Sequence, residues 1–278
     1  MKHAVKYIVG GCMVLTGIIM VVIACCIGGW QMLANAPVYS LDTWGFVYNN
    51  ESIEGKVENV MEIKNLEIDI GTSEFYLTTG SGSDIDIRTE NTKENCFRYE
   101  VEGDTLKINY HTNFIQLFGI YSGAKIYVTI PENIQFDDVK IHNSVGTMNI
   151  SGINAEYLEL GTGTGAACFD NISADKLKVD SGVGDVEITN SVTNELNLDS
   201  GVGRTTYQGE INGDADIDSG VGEVVIDIKG DKNDYRFNID KGIGDVTLNG
   251  NSCSGKFGDG KYSFKIDSGV GAVRIDIA

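Results

Sequence analysis

One motif returns in the same phase throughout the C-terminal half of this sequence. Residues 179–188 read Val-Asp-Ser-Gly-Val-Gly-Asp-Val-Glu-Ile, and close copies begin at Leu198, Ile217, Ile239 and Ile266. Counting two degenerate earlier copies, the second glycine falls at positions 146, 165, 184, 203, 222, 244 and 271. The step is 19 residues four times and then 22 and 27. Such short-period self-similarity is typical of stacked repeats, in which each unit buries its apolar face only against its neighbours.

Alternation within one repeat predicts strands and a corner. Leu177 and Val179 are expected to point inward, with Lys178 and Asp180 outside. The segment Gly182–Gly184 then turns the corner, because glycine reaches backbone angles that other residues avoid. Stacking coils about 4.8 Å apart would place equivalent residues in continuous inner rows. The two predicted rows are Leu160, Val179, Leu198, Ile217, Ile239, Ile266 and Phe169, Ile188, Tyr207, Ile226, Leu248, Ile275.

Further expectations concern the turns and the end of the stack. Val192, within the return turn 190–194, is expected to be a core anchor, and the glycine-rich segment 249–261 a protruding loop. No capping segment follows Arg274 to Ala278, so the C-terminal rung is expected to be an open edge through which copies could self-associate. The alternative is that outward Arg274 and Asp276 discourage that pairing.

These patterns predict an all-β fold: a right-handed β-solenoid, a single-stranded β-helix-like stack of rungs of about 19 residues, with an N-terminal transmembrane helix. The repeat domain spans residues 60–278, irregular over 60–139 and regular over 140–278. Ile68 to Phe75 is interpreted as a decayed first copy. The apolar stretch Phe114 to Tyr121 either caps the first rung or packs on the stalk, or else contacts a partner or membrane.

The N-terminus predicts a membrane anchor. Tyr7 to Leu33 is almost wholly apolar and exceeds the roughly 20 residues that cross a bilayer as a helix. Lys2 and Lys6 precede it, which places the N-terminus in the cytoplasm and the repeats outside. Residues 1–34 are therefore the cytoplasmic end and anchor, and 35–59 a stalk. A cleaved signal peptide, or lipidation of Cys25 in a lipobox-like sequence, remains open.

Charge and cysteine content narrow the partners. The net charge is −19, so the surface repels nucleic acid and attracts cations and basic partners. Beyond the anchor lie only Cys96, Cys168 and Cys253, with no Cys/His cluster, which disfavours a zinc site. One disulfide is possible, but free thiols are favoured.

The repeat resembles a known group of proteins. The uncharged N-terminal helix, the strand-proline segment Ile126 to Pro131 and the recurring (Val/Ile)-Asp-Ser-Gly-Val-Gly-Asp-Val are similar to a bacterial putative-adhesin family of membrane-anchored β-strand-repeat domains of unknown function. The resemblance covers roughly residues 60–278. It implies a cell-envelope protein linked by association to envelope-stress signalling, and it supplies no catalytic residues.

The most conspicuous polar pattern is a ladder of aspartates. Its members occupy one phase of the repeat: Asp180, Asp199, Asp218, Asp240 and Asp267. The favoured interpretation is that each carboxylate accepts hydrogen bonds from backbone N–H groups of its glycine corner. The alternative is a divalent-cation ladder in which Ser181, Ser200 and Ser219 add oxygen ligands. Lys241 replaces serine in one copy, which disfavours a cation there.

Nothing in the sequence suggests an enzyme or a cofactor. No nucleophile, base and acid are suggested by spacing, and the basic residues in phase, chiefly Arg204 and Arg274, are too few for polysaccharide cleavage. Tyr207, Arg204 and Lys178 give little support for a sugar platform. We therefore expect a non-enzymatic envelope protein whose acidic solenoid contacts an unidentified envelope protein. A binding module for a glycan, a divalent cation or a cationic molecule is the alternative.

Overall fold

The computed structural model describes residues 52–92, 95–111 and 123–278. These residues form nineteen strands of one sheet and two short 3-10 turns, at Val60–Glu62 and Lys232–Asp234. The expected all-β fold is confirmed.

The first nine strands lie before or at the start of the regular repeats. They are β1 (Glu54–Val57), β2 (Asn65–Thr72), β3 (Glu74–Gly80), β4 (Ile85–Glu90), β5 (Phe97–Glu102), β6 (Thr105–Tyr110), β7 (Lys125–Pro131), β8 (Phe136–Val145) and β9 (Met148–Ser151). The remaining strands are β10 (Asn154–Thr164), β11 (Ala167–Asp170), β12 (Ser173–Val183), β13 (Val186–Ile211), β14 (Ala215–Ile228), β15 (Tyr235–Ile243), β16 (Val246–Leu248), β17 (Asn251–Ser252), β18 (Gly255–Phe257) and β19 (Tyr262–Ile277).

Parallel pairing arranges the described strands as nine coils, a solenoid-like stack. We number them in chain order: coil 1 (β2–β3), coil 2 (β6–β7), coil 3 (β8–β9), coil 4 (β10–β11), coil 5 (β12 and residues 186–189), coil 6 (residues 192–211), coil 7 (β14), coil 8 (β15–β16) and coil 9 (β19).

The order of the coils in space differs from their order in the chain at both ends. Coil 1 lies between coils 2 and 3, since Ile68 pairs with Ile108 on one side and with Ile141 on the other. Coil 9 lies between coils 7 and 8, since Ile266 pairs with Ile217 and with Ile239. The spatial order is therefore 2-1-3-4-5-6-7-9-8.

This order overturns the expected open edge at the C-terminal rung. β19 is paired along its length, with β14 on one side and with β15 and β16 on the other. The outermost coil is coil 8. The segment 249–261, expected to protrude as a loop, instead contributes two antiparallel strands that cap this coil. β17 pairs with β16, and β18 pairs with β15. The premise for self-association through the C-terminal rung is therefore wrong.

The opposite end is capped in a similar way. β5 pairs antiparallel with β6, and β4 pairs antiparallel with β7. β1 pairs with β4, and Val57 is buried, so residues 54–57 belong to the folded domain and not to the predicted stalk. Antiparallel strands of this kind cover backbone groups that would otherwise form an exposed edge.

The interior confirms the two predicted rows, because all twelve side chains are buried. Burying a large aliphatic side chain contributes about 1.5–3 kcal/mol, so these rows are a major part of the stability. Their order follows the stack, with Ile266 between Ile217 and Ile239. Val192 is 40% exposed, so the expected core anchor is wrong; its neighbours Ser191 and Thr193 are buried instead.

Several sequence expectations lie outside the described residues. These are the anchor 1–34 with Cys25, the stalk up to residue 51, and the apolar stretch Phe114 to Tyr121. Within the described ranges, no helix is long and apolar enough to cross a membrane. Cys96, Cys168 and Cys253 are free thiols, and Cys168 is exposed.

Candidate functional site: the aspartate face

The glycine corner fixes how closely the coils can stack. The second glycine of each repeat has φ between 131° and 151°, a region that L side chains rarely adopt. A Cβ atom on Gly203 would overlap the carbonyl oxygen of Gly184, and one on Gly222 would overlap that of Gly203. The corner therefore holds successive coils in strict register, and every other row of the surface inherits that register.

The predicted aspartate ladder forms one continuous row. In spatial order its members are Asp180, Asp199, Asp218, Asp267 and Asp240. We call these five residues the aspartate row. Gly161 and His142 continue the row over coils 4 and 3, and Asp69 follows in coil 1.

A second row, two residues earlier in each coil, alternates in charge. In spatial order it contains Lys107, Glu67, Lys140, Glu159, Lys178, Asn197, Asp216 and Lys265. Lys178 Nζ lies 2.8 Å from both Glu159 Oε1 and Asp180 Oδ2. Lys265 Nζ lies 3.1 Å from Asp216 Oδ1 and 2.9 Å from Asp267 Oδ2. The charges of the alternating row thus largely offset one another, and two of its lysines also form ion pairs with members of the aspartate row.

The centre of the aspartate row is electrostatically unfavourable. Partial burial raises the pKa of Asp218, and the carboxylates of Asp216, Asp267 and Asp199 raise it further, while Lys265 opposes them. Like charges about 4.8 Å apart repel by about 1 kcal/mol in water at low salt. The aspartate row therefore costs folding free energy, whereas the charges of the alternating row beside it largely offset one another.

The serines of the motif do not share the carboxylate surface. Ser181, Ser200 and Ser219 are buried, and Ser200 Oγ lies 2.9 Å from Thr205 Oγ1 inside the coil. Strand alternation explains this, because adjacent residues point to opposite faces. The expected ligand set of aspartates and serines is therefore not brought together on one face.

Neither the hydrogen-bonding interpretation of the aspartate ladder nor the cation-binding one finds its expected contacts in the described coils. In the described coils, the aspartate row forms ion pairs with lysines and no hydrogen bond with a corner glycine. Among the same residues, no three His, Cys, Asp or Glu side chains are placed to hold a metal ion. The cation ladder stays a prediction without an assembled ligand set.

Sequence reasoning missed an exposed apolar row at the corner. The residue directly before the second glycine lies in register from coil 3 to coil 8: Val145, Thr164, Val183, Val202, Val221, Val270 and Ile243. Five of them are exposed by 43% to 75%. We call these seven residues the valine ridge. Period-two alternation would place Val183 inward like Val179, but the corner diverts the chain, and only the recurrence of Gly-Val-Gly could have indicated the ridge.

A shallow open groove runs along the aspartate row. One part, of about 540 Å³, is lined by the Asp-Ser-Gly segments of coils 6, 7 and 9 and by Asp240, Lys241 and Gly242 of coil 8. A second part, of about 490 Å³, covers coils 3, 4 and 5 and shares Asp199 with the first. The valine ridge follows one residue beyond the groove in the chain.

The side chains considered above for catalysis or sugar binding are engaged in contacts within the domain. Arg204 forms an ion pair of 2.7 Å with Glu223, and Arg274 one of 3.0 Å with Asp276. Tyr207 is fully buried and donates to the carbonyl of Glu210 at 3.0 Å, so it cannot face a sugar. His111 lies 3.2 Å from Asp69, which extends the line of the aspartate row into coil 1.

The fold defines an all-β, solenoid-like repeat protein. The chain belongs to the Toastrack DUF4097 family, whose sequence pattern matches residues 63–276. This membership confirms the resemblance to the putative-adhesin group of repeat domains of unknown function. Among curated proteins, none matches the chain.

Solved structures similar to this chain come from several bacteria. A putative adhesin from Bacteroides fragilis is 16% identical, with 81% of this chain and 96% of that chain covered and a TM-score of 0.45. A putative cell adhesion protein from Clostridium sporogenes is 18% identical, with 82% and 100% covered and a TM-score of 0.36. A putative lipid binding protein from Parabacteroides distasonis is 14% identical, with 82% and 98% covered and a TM-score of 0.40.

Proposed function

We propose that this protein is a non-enzymatic binding module, anchored in the cell membrane by residues 7–33 and displayed outside the cytoplasm. The observation that carries the proposal is the set of in-register surface rows on a rigid stack. Acidic and apolar side chains recur together in each of coils 5 to 9 on the surface that carries the aspartate row and the valine ridge, which we call the aspartate face. This face therefore suits an extended partner. As the family resemblance implies, the partner would be an envelope component, and its binding could feed envelope-stress signalling.

The arrangement supports binding better than catalysis. A catalytic site gathers different functional groups at one point, whereas this face repeats the same groups along its length. The aspartate row also lowers stability without closing a hydrogen-bonded network in the described coils. Surface groups that cost folding energy are common where a protein contacts something else.

The proposed location is tested with the native thiol of Cys168. Because Cys168 is exposed, a membrane-impermeant maleimide should label it in intact cells or spheroplasts, and Cys168→Ser should lose most of that signal. Partial desolvation of the sulfur, with Glu187 and Asp170 nearby, raises the pKa of this thiol, so labelling is run at mildly alkaline pH. Labelling only after lysis would contradict an extracytoplasmic domain.

The proposed activity is tested by photo-crosslinking of the full chain in cells. Photoreactive residues replace Lys178 and Asp199, which lie on the aspartate face, and Glu187, which lies off that face on the strand after the corner. We expect discrete adducts with an envelope component from the first two positions, at higher yield than from Glu187. An absence of adducts from all three positions, with the protein folded and present, would contradict a binding role.

A further inference from the structure

The valine ridge is an exposed apolar surface that folding leaves without cover. Val145, Val202, Val221 and Val270 are 43–50% exposed, and Ile243 is 75% exposed. Exposed aliphatic residues scattered singly are ordinary, but a contiguous line of them marks a contact surface. In this chain the line crosses seven consecutive positions of the stack, from coil 3 to coil 8, with Thr164 as its one polar member.

We propose that the valine ridge and the aspartate row together dock a cationic amphipathic α-helix of a partner protein. The inference rests on the proposed binding function and specifies the surface and the chemistry of the partner. The apolar stripe of the helix would cover the ridge, and its lysines or arginines would pair with the carboxylates.

The negative charge of this surface favours a cationic helix as its partner. Asp199, Asp218 and Asp240 form no ion pair within the described residues, whereas Asp180 and Asp267 are bridged to lysines. The charges of residues 1–51 cancel, so the net −19 of the chain falls on residues 52–278. A second copy would bring another acidic row to the same place, and an anionic polymer would be repelled. A basic partner gains at the three aspartates that form no ion pair within the described residues.

The spacing selects a helix over an extended strand. Coils repeat about every 4.8 Å along the face, close to the roughly 4.5–6 Å rise between helix residues three or four apart. Side chains on one face of an extended strand recur about every 6.6 Å, so they would fall out of step with the coils.

The width also fits. Each aspartate precedes its ridge residue by three positions across the glycine corner, so the two rows lie at most about 10 Å apart, within the reach of one helix about 10–12 Å in diameter. The ridge has six intervals, or about 29 Å, which a helix of about 19 residues would span. Exposed glycines such as Gly182 and Gly220 line the groove beside the ridge and leave room for the helix backbone.

The proposal is tested with a synthetic probe. The probe is a peptide of about 19 residues with leucines at helical i, i+3, i+4 positions and lysines elsewhere. A scrambled peptide of the same composition and a leucine–glutamate peptide are the comparisons. The full chain is held in zwitterionic nanodiscs, binding is measured by surface plasmon resonance, and empty nanodiscs supply the reference for binding to lipid.

Two pairs of substitutions separate the contributions. D199N/D218N removes charge from the row and should weaken binding of the probe about tenfold at low salt. V202T/V221T keeps the β-branched shape but removes apolar surface, and should weaken binding about fivefold. The matched controls are Glu187→Gln, an exposed carboxylate off the row, and Val192→Thr, an exposed valine off the ridge; each should stay within about twofold.

The outcomes decide between this surface and its alternatives. Preference for the amphipathic peptide over the scrambled one, lost in both double variants and kept in both controls, supports the proposal. Equal binding of the two lysine peptides, or an unchanged affinity in V202T/V221T, would reduce the surface to general charge attraction and overturn it. If the probe fails to bind while Asp199 crosslinks in cells, the helix-docking inference is wrong and the binding function stands.

Discussion

The middle of the stack and its two ends are built by different rules. Coils 3 to 7 follow one another in the chain and in space, with in-register parallel pairing between neighbours. At each end the outermost position is taken by the second coil from the terminus, and the terminal coil is inserted behind it. Local repetition is therefore enough to order the middle, whereas the ends depend on contacts between segments that are distant in sequence.

The two ends also carry capping strands, which the middle does not need. β4 and β5 cover coil 2, and β17 and β18 cover coil 8, all by antiparallel pairing. An exposed edge of parallel strands would recruit other chains. The 27-residue step thus contains the two strands that cap the C-terminal end of the stack. The comparison can be tested by removing or altering matched parts of both regions.

The largest effect is expected from deleting coil 9. Deletion of residues 262–278 leaves coils 7 and 8 without the strand that joins them, and should lower the Tm of the full chain by more than about 10 °C. Deletion of 235–261 connects Asp234 directly to Tyr262, which is the register partner of Tyr235, and keeps β19 on β14. It should cost less than half as much, measured by far-UV circular dichroism. Equal losses in both deletions would contradict the inserted position of coil 9.

A smaller but still large effect is expected at a corner glycine in the middle. Gly203→Ala places a Cβ against the carbonyl oxygen of Gly184 at φ 145°, and should cost more than about 3 kcal/mol in urea unfolding. Gly250→Ala lies beside coil 8 at φ 74° with nothing within 4 Å, and should cost about 1 kcal/mol. Comparable losses at the two positions would mean that backbone angle, and not coil contact, sets the cost.

A moderate gain is expected from neutralising the aspartate row. Asp218 has carboxylate neighbours in both adjacent coils, whereas Asp240, in the outermost coil, has one. Asp218→Asn should therefore raise the Tm by about 2 °C at pH 7 and low salt, and Asp240→Asn by less.

The pH dependence of that gain has a definite sign. The pKa of Asp218 is raised, so the folded state binds the proton more tightly than the unfolded state does. Its contribution to the unfolding free energy falls as pH rises from near 4 through the raised pKa. The gain from Asp218→Asn should consequently vanish below about pH 4. A gain that persists in acid would point to packing instead of charge.

The smallest effect is expected at the alternating row. Lys178→Met removes contacts to Glu159 and Asp180 on a partly exposed side chain, and should cost less than about 1 kcal/mol and less still in high salt. Lys265→Met removes the equivalent contacts in coil 9. Because coil 9 has neighbours on both sides, the two losses should be alike. A clearly smaller loss at Lys265 would indicate that coil 9 lies at the edge.

Much of the middle could be predicted because its determinants are local. The alternation around Val179 and the glycines at 182 and 184 set the strand, the corner and the inner row within one repeat. The aspartate row followed from the same period. Its partners did not, since hydrogen bonds from the corner and ion pairs from Lys178 are equally compatible with the sequence spacing.

The rest depends on distant contacts that one sequence does not display. The steps of 22 and 27 residues indicated insertions, but not that β19 would enter between β14 and β15. The exposure of Val202 depends on how far the corner diverts the chain from strict alternation. The prediction for Val192 is wrong although an aliphatic residue in a turn suits the core. In the structure Ser191 occupies that core position, and its hydroxyl accepts a hydrogen bond from the backbone N–H of Ile172 at 3.3 Å.

The inserted position of coil 1 has a mechanical consequence. If the chain is tethered through its N-terminus, a pull reaches β1 and then coil 1. In a stack ordered as the chain is, the first coil would be outermost and would peel away by breaking one interface, strand by strand. Here coil 1 must be drawn out from between coils 2 and 3, so two interfaces bear the load together. A pull applied through the N-terminus would therefore have to break both interfaces of coil 1 at once.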